Sequence, residues 1–337
     1  MKRTPAFFTV VISLLILMAV VLSVKIGVVS VSFGTVFRVI GAKIGVCSMG
    51  NIDSPDIITI WELRLPRIVM SLLAGAVLAI CGAAYQSIFR NQICDPYIMG
   101  ISSGASLGAA VAFIAGWDIF LFGITIPALI TACLTLFLIL GLSGLSRKSA
   151  IETLLLVGIV INFLISALIT ILLVAHQEDM QKILFWTMGS FSSISWSQIG
   201  FSLPLIIIGV GVLFYYAKNL TIMQLGTETA LSLGVNARKT ALLVLVFSSL
   251  LIAVIVSFCG VIGFIGLIVP HIARMLFGNH NRVVFLHSML IGALFLLLAD
   301  TVARTIAIPT ELPVGAITAL TGAPYFVFLL LRNRKFS

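Results

Sequence analysis

Charge is what this sequence has least of. Asp, Glu, Lys and Arg make up 9% of its 337 residues and apolar residues 61%, against about 25% charged and about 45–50% apolar in an ordinary soluble domain. Twenty basic and eleven acidic side chains cannot cover the surface of a water-soluble fold of this length. That excludes a cytosolic enzyme, a disordered scaffold and a secreted disulfide protein. Cysteine is also scarce. Cys47, Cys81, Cys94, Cys133 and Cys259 are odd in number, scattered, and form no CxxC pair, so neither a disulfide framework nor a zinc site is indicated. They read as small buried hydrophobes.

Chemical motifs are missing too. The chain has no GxxxxGK[ST] nucleotide loop, no Gly-Lys dipeptide at all and no HExxH. An ion-coupled carrier needs ionisable groups inside its apolar runs. Asp300 is the one carboxylate well inside such a run, with Glu152 at a mouth. No nucleophile or metal constellation suggests a membrane-embedded enzyme. The chain reads as a pathway without an engine of its own, and as a non-enzyme.

What is present is hydrophobic length. Mean hydropathy is +1.23, and a helix needs roughly 20 apolar residues to cross the hydrocarbon core. Such runs lie near 6–30, 66–88, 98–116, 119–142, 151–174, 199–217, 240–260, 261–277, 284–303 and 314–331. The expectation is an all-α polytopic membrane protein, residues 1–337 forming one transmembrane domain of about ten helices. The seventh and eighth runs are parted only by Gly260, Gly263 and Gly266. The first follows Met1-Lys2-Arg3 but carries apolar residues from Ala6 to Val24 without a small-x-small cleavage site, so a retained helix is expected rather than a signal peptide.

Ten spans put both termini on one side. With the N-terminus cytoplasmic, thirteen of the twenty basic residues fall inside: Lys2, Arg3, Arg90, Arg147, Lys148, Lys218, Arg238, Lys239, Arg274, Arg282, Arg332, Arg334 and Lys335. Asp53, Asp56, Glu62, Asp118, Glu178, Asp179 and Glu311 fall outside. This obeys the positive-inside rule and predicts cytoplasmic termini. The net charge of +9 then reflects topology and anionic lipid, not a nucleic-acid partner.

Three arginines break the pattern. Arg64 and Arg67 lie in Trp61-Glu-Leu-Arg-Leu-Pro-Arg67 at the outer mouth of the second run, and Arg304 ends the ninth, four residues after Asp300. They can snorkel to headgroups, with Asp300 and Arg304 forming an i,i+4 pair. They can equally form an electropositive rim for an acidic partner, because Arg makes directional carboxylate pairs. The residues alone leave both readings open. On the other side, the connection at about 219–239 is the longest, divided by Gly226 and Gly234 into pieces short enough for a turn or two of helix. A long, ordered-looking connection with a compact, weakly charged face suits contact with another protein. Gly100-Ile-Ser-Ser-Gly-Ala-Ser-Leu-Gly108 has the small-residue spacing of close helix packing, and His271 after Pro270 reads as a helix-packing hydrogen bonder.

The motif order carries a resemblance. Leu63-Arg-Leu-Pro-Arg67, Leu73-Ala-Gly-Ala-Val-Leu-Ala-Ile-Cys-Gly82, Gln86-Ser-Ile-Phe-Arg-Asn91 and Asp95-Pro-Tyr-Ile-Met-Gly-Ile-Ser-Ser-Gly-Ala105 come in sequence. They are followed by Leu231-Ser-Leu-Gly-Val-Asn236, Gly263-Phe-Ile-Gly-Leu-Ile-Val-Pro-His271, Leu298-Ala-Asp-Thr-Val-Ala-Arg304, Glu311-Leu-Pro-Val-Gly315 and Thr318-Ala-Leu-Thr-Gly-Ala-Pro324. Over about residues 60–331 the chain resembles the FecCD-type permeases of binding-protein-dependent ABC importers for iron-siderophores, haem and cobalamin. One departure is Asn91-Gln-Ile-Cys94, where the family commonly has Asn-Pro-Leu-Ala.

The resemblance implies a type II ABC importer permease fold, working as a homodimer around one pathway lined by Ile151–Val174 and Val314–Leu331 in the bacterial or archaeal cytoplasmic (inner) membrane. It implies that Arg64, Arg67 and Arg304 pair with glutamates of an extracytoplasmic substrate-binding protein. It further implies that Gly226, Thr227, Glu228, Ala230, Leu231, Gly234, Val235 and Asn236 form the coupling segment for two ATP-binding subunits. ATP and Mg would bind there, and this chain would carry no cofactor or metal of its own. A ferric siderophore is the expected cargo, haem or cobalamin next, then a molybdate-type oxyanion. The alternative is an ion-coupled secondary transporter acting without an ATPase.

Overall fold

The computed structural model describes residues 5–27, 31–43, 45, 54–144 and 150–333. Cys47 and Asp53 lie outside these residues, as do the side chains of Lys2, Arg3, Arg147, Lys148, Glu152, Thr227, Arg332, Arg334 and Lys335. The described residues are all helix and connection. The order is α1 (Pro5–Lys25), α2 (Phe33–Lys43), α3 (Ser54–Ile57), a π-helical turn (Ile58–Arg64), α4 (Leu65–Phe89), a 3-10 turn (Pro96–Met99), α5 (Ile101–Ile114), a second 3-10 turn (Trp117–Ile119) and α6 (Thr125–Gly144). Then follow α7 (Ala150–Ala175), α8 (Met180–Thr187), α9 (Trp196–Met223), α10 (Thr227–Ser232), α11 (Ala237–Cys259), α12 (Ile265–Phe277), α13 (Asn281–Ala303) and α14 (Val314–Asn333).

Each of the ten apolar runs falls on one helix. Among the described residues seven helices are long and apolar enough to cross a membrane, and α5, α12 and α14 are shorter apolar ones. The thirteen residues of α12 span about 20 Å at 1.5 Å per residue, less than a hydrocarbon core of about 30 Å. Its approach, Gly260 to Phe264, is not helical, so the seventh and eighth runs are separate helices. Non-helical backbone at that depth must be satisfied by protein. The Tyr97 hydroxyl meets this need, donating to Ile262 O at 2.6 Å and accepting from Ile262 N–H at 3.2 Å.

α4 is the central post. Nearly every residue from Met70 to Ile88 is buried, as expected of a helix that is apolar all round. It lies against α9, α11, α12 and α13. Small residues set the spacing: a methyl added at Gly75 would stand 2.2 Å from Gly292 O of α13, and one at Gly82 1.9 Å from Gly266 O of α12. The Gly100–Gly108 stretch packs as its spacing predicts, since a methyl at Gly104 would meet Thr135 Oγ1 of α6 at 2.3 Å. By contrast α7 is mostly exposed, its apolar side chains free to meet lipid. Cys81, Cys94 and Cys259 are buried, as small hydrophobes should be.

α1 runs beside α13, tied to it by a Ser23 Oγ to Thr301 Oγ1 hydrogen bond of 2.9 Å, and meets α12 through an edge-on contact of Phe8 with Phe277. Helix directions then define two ends. At one, α1 and α13 finish and α4 begins; at the other, α4, α9 and α12 finish and α11 and α13 begin.

Candidate functional site

The first end holds the three arginines. Pro66 has no N–H and its ring crowds the carbonyl four residues back, and the chain accommodates it with a π turn in which Leu65 N–H reaches Ile60 O. Such turns are frequent at functional sites. This one delivers Arg64 and Arg67 to the interior. Arg67 Nε donates to Asp300 Oδ1 and Oδ2 at 3.0 and 2.9 Å, and Nη2 to Oδ1 at 2.8 Å. Its Nη1 donates to Glu311 Oε1 and Oε2 at 3.0 and 2.8 Å. One guanidinium therefore holds two carboxylates from two parts of the chain.

Arg64 and Arg304 turn to α1. Arg64 Nη1 donates to Val24 O at 2.6 Å and Lys25 O at 3.2 Å. Arg304 Nη2 donates to Ser23 Oγ at 2.7 Å and to Ser23 O. The last carbonyls of a helix have no partners within it and carry partial negative charge, so both cations cap the end of α1. Arg64, Arg67, Arg304 and Asp300 are all buried, Asp300 completely, while the Glu311 side chain is 38% exposed. Asp300 and Arg304 do not form the i,i+4 side-chain pair that their spacing allows. Arg67 reaches Asp300 with its flat fork from α4, and the Arg304 head is drawn to Ser23. The structure thus gathers the three arginines but faces them inward, and of the Arg67 carboxylate partners Glu311 is the exposed one. Sequence reasoning grouped Glu311 with the outer acids without pairing it; its place in Glu311-Leu-Pro-Val-Gly315 was the available signal.

The second end holds α10. Gly226 at φ 124° and Gly234 at φ 75° adopt backbone that side-chain-bearing residues avoid, and they bracket α10 as the sequence suggests. Ala230 is fully buried and Val235 nearly so, joined by a Val235 N–H to Ala230 O bond of 2.8 Å. These two face the bundle. Glu228 and Leu231 face out, and Asn236 Oδ1 caps α11 by accepting from Lys239 N–H at 3.0 Å. Leu225 and Leu233, which flank α10, are exposed as Leu231 is. Leu231 and Leu233 belong to the compact face that the sequence suggests; Leu225, just before Gly226, is not part of that reading.

A helical bundle of this order, with a short helix standing off one end, narrows the comparison. The model of the FecCD transport family matches residues 14–332. The chain belongs to that family. Its relatives include the cobalamin import system permease protein BtuC of Halobacterium salinarum, 40% identical over 82% of this chain and 74% of the relative. Another is the iron(3+)-hydroxamate import system permease protein FhuG of Bacillus subtilis, 36% identical over 97% of each. Among solved structures, a chain described as a metal-chelate type ABC transporter in an inward-facing conformation superposes with a TM-score of 0.84 at 32% identity, covering 97% of this FecCD chain and 99% of the other. The fold is that of an ABC importer permease.

Proposed function

We propose that this chain is the membrane subunit of a binding-protein-dependent ABC importer for a metal chelate. Two copies enclose the pathway, two ATPase subunits hydrolyse ATP on the cytoplasmic side, and an extracytoplasmic binding protein delivers cargo. The carrying observation is α10: a glycine-bracketed helix with Ala230 packed inward and Leu231 exposed, flanked by exposed Leu225 and Leu233. That is a preformed knob for a cleft in another protein, in a family of ABC permeases. On this reading the α10 end is cytoplasmic, with both termini, and Arg90, Lys218, Arg238, Lys239 and Arg282 near that end support it.

The ATPase dimer, closing on ATP, shifts α10 and biases the bundle between outward- and inward-facing states through its differential contacts. The binding protein docks at the arginine end. Arg64, Arg67 and Arg304 are its contact set; because their heads are engaged internally, docking exchanges an internal partner for a carboxylate of the binding protein. By the names of relatives, a ferric siderophore is the first candidate cargo, with haem or cobalamin next.

The test is to tag the chain in its host, solubilise it gently and identify what co-purifies. A stoichiometric ATPase whose vanadate-sensitive hydrolysis is uncoupled from transport when residues 228–236 become a flexible linker supports the proposal. A chain that purifies alone and still transports would overturn it in favour of an ion-coupled carrier. The geometry argues against that outcome, since Asp300, the carboxylate such a carrier would use, is held by both its oxygens in a pair with Arg67.

A further inference from the structure

Gly226 leaves α10 hanging from the last turn of α9. Helix ends fray, and a push on α10 would be absorbed there unless that turn were pinned. It is pinned by a buried polar cluster. Thr221 Oγ1 accepts from the Asn281 N–H at 3.0 Å, and Gln224 Nε2 donates to Ser87 Oγ at 3.3 Å. Behind them, Arg274 Nη2 donates to Ser87 Oγ at 2.7 Å, Ala83 O at 3.0 Å and Asn281 Oδ1 at 3.2 Å. Ser87 Oγ lies 2.9 Å from Asn281 Oδ1. One knot thus joins α4, α9, α12 and α13.

The charge at its centre is unusual. Arg274 is buried, and among the described residues it makes no ion pair; its acceptors are neutral oxygens. Burying a cation without a counter-charge is costly, and apolar packing would hold four helices together more cheaply. Directional, desolvated hydrogen bonds give rigidity instead.

We propose that Arg274, Ser87 and Asn281 form a clasp that grips Thr221 and Gln224, so that displacement of α10 moves α4, α12 and α13 as one body. Thr221 and Gln224 are positioning residues for coupling. This rests on reading α10 as the ATPase contact. With the clasp cut, the ATPase still binds and cycles, but its stroke is spent in the last turn of α9.

The experiment uses the permease assembled with its co-purified ATPase in nanodiscs. Met188→Cys, in a background whose five native cysteines are alanine, reports the far half of the bundle through its reaction with a water-soluble maleimide. In the otherwise wild-type complex, the labelling rate differs between nucleotide-free and ATP–vanadate states. Thr221→Val and Gln224→Ala each retain ATP hydrolysis and lose that difference, while Thr221→Ser, which keeps the hydroxyl, restores it. Gln224 is only partly buried, so its variant tests the clasp even if Thr221→Val does not assemble. Variants that hydrolyse ATP and respond as wild type does would overturn the clasp alone. A wild-type complex with no ATP response would overturn the ATPase reading and the clasp together.

Discussion

Replacing Arg67 by alanine is the sharpest perturbation of this fold. It removes the donors to Asp300 and Glu311 and leaves the Asp300 carboxylate, fully buried, without the fork that compensates it. Breaking a buried ion pair by deleting one partner costs about 3–5 kcal/mol. The Glu311 half is different. Its side chain is 38% exposed, so solvent screens the pair and Glu311→Gln costs about 0–1 kcal/mol. At about 2 °C per kcal/mol for a large chain, Arg67→Ala lowers the unfolding midpoint by roughly 6–10 °C, and Glu311→Gln by no more than about 2 °C. Deleting both buried charges restores most of the loss, since a well-packed apolar pair replaces a buried ion pair at little or no cost. Arg67→Met with Asp300→Leu is therefore close to wild type. The assay is thermal unfolding in detergent followed by size-exclusion chromatography. Equal shifts for Arg67→Ala and Glu311→Gln, or a double variant as damaged as the sum of its singles, would refute this reasoning. A near-wild-type midpoint for Arg67→Ala together with lost stimulation by the binding protein would show instead that the arginine serves docking more than folding.

Other predictions follow from the same geometry. Leu231→Asp with Leu233→Asp changes exposed positions and leaves the midpoint within about 0.5 kcal/mol of wild type, yet abolishes ATPase co-purification. Gly234→Ala forces a side chain into left-handed backbone at a cost of roughly 1–2 kcal/mol, read as a lowered midpoint. Gly75→Ala pushes a methyl against Gly292 O and, as an overpacked core, loses roughly 1–3 kcal/mol or more; Gly141→Ala, with open space around it, is neutral in the same assay. Tyr97→Phe strands the buried backbone of Ile262 and costs about 1–3 kcal/mol, visible as faster amide exchange between Gly260 and Phe264.

Much of this protein was legible along the chain. Scarce charge and long apolar runs dictate helices in lipid, because no other open structure satisfies its backbone there. Gly226 and Gly234 mark α10, and the motif order marks the family. These signals are local, carried by composition and by neighbours in sequence. Partner choice is not local. Arg67 meets Asp300 and Glu311 across 233 and 244 residues, and Arg274 meets Ser87 across 187. Which acid a guanidinium finds depends on how helices cross, and the crossings depend on contacts such as Gly75 against Gly292. The inward turn of the arginines, the outward turn of Leu225, Leu231 and Leu233, and the clasp beneath α10 were therefore decided only when the bundle packed.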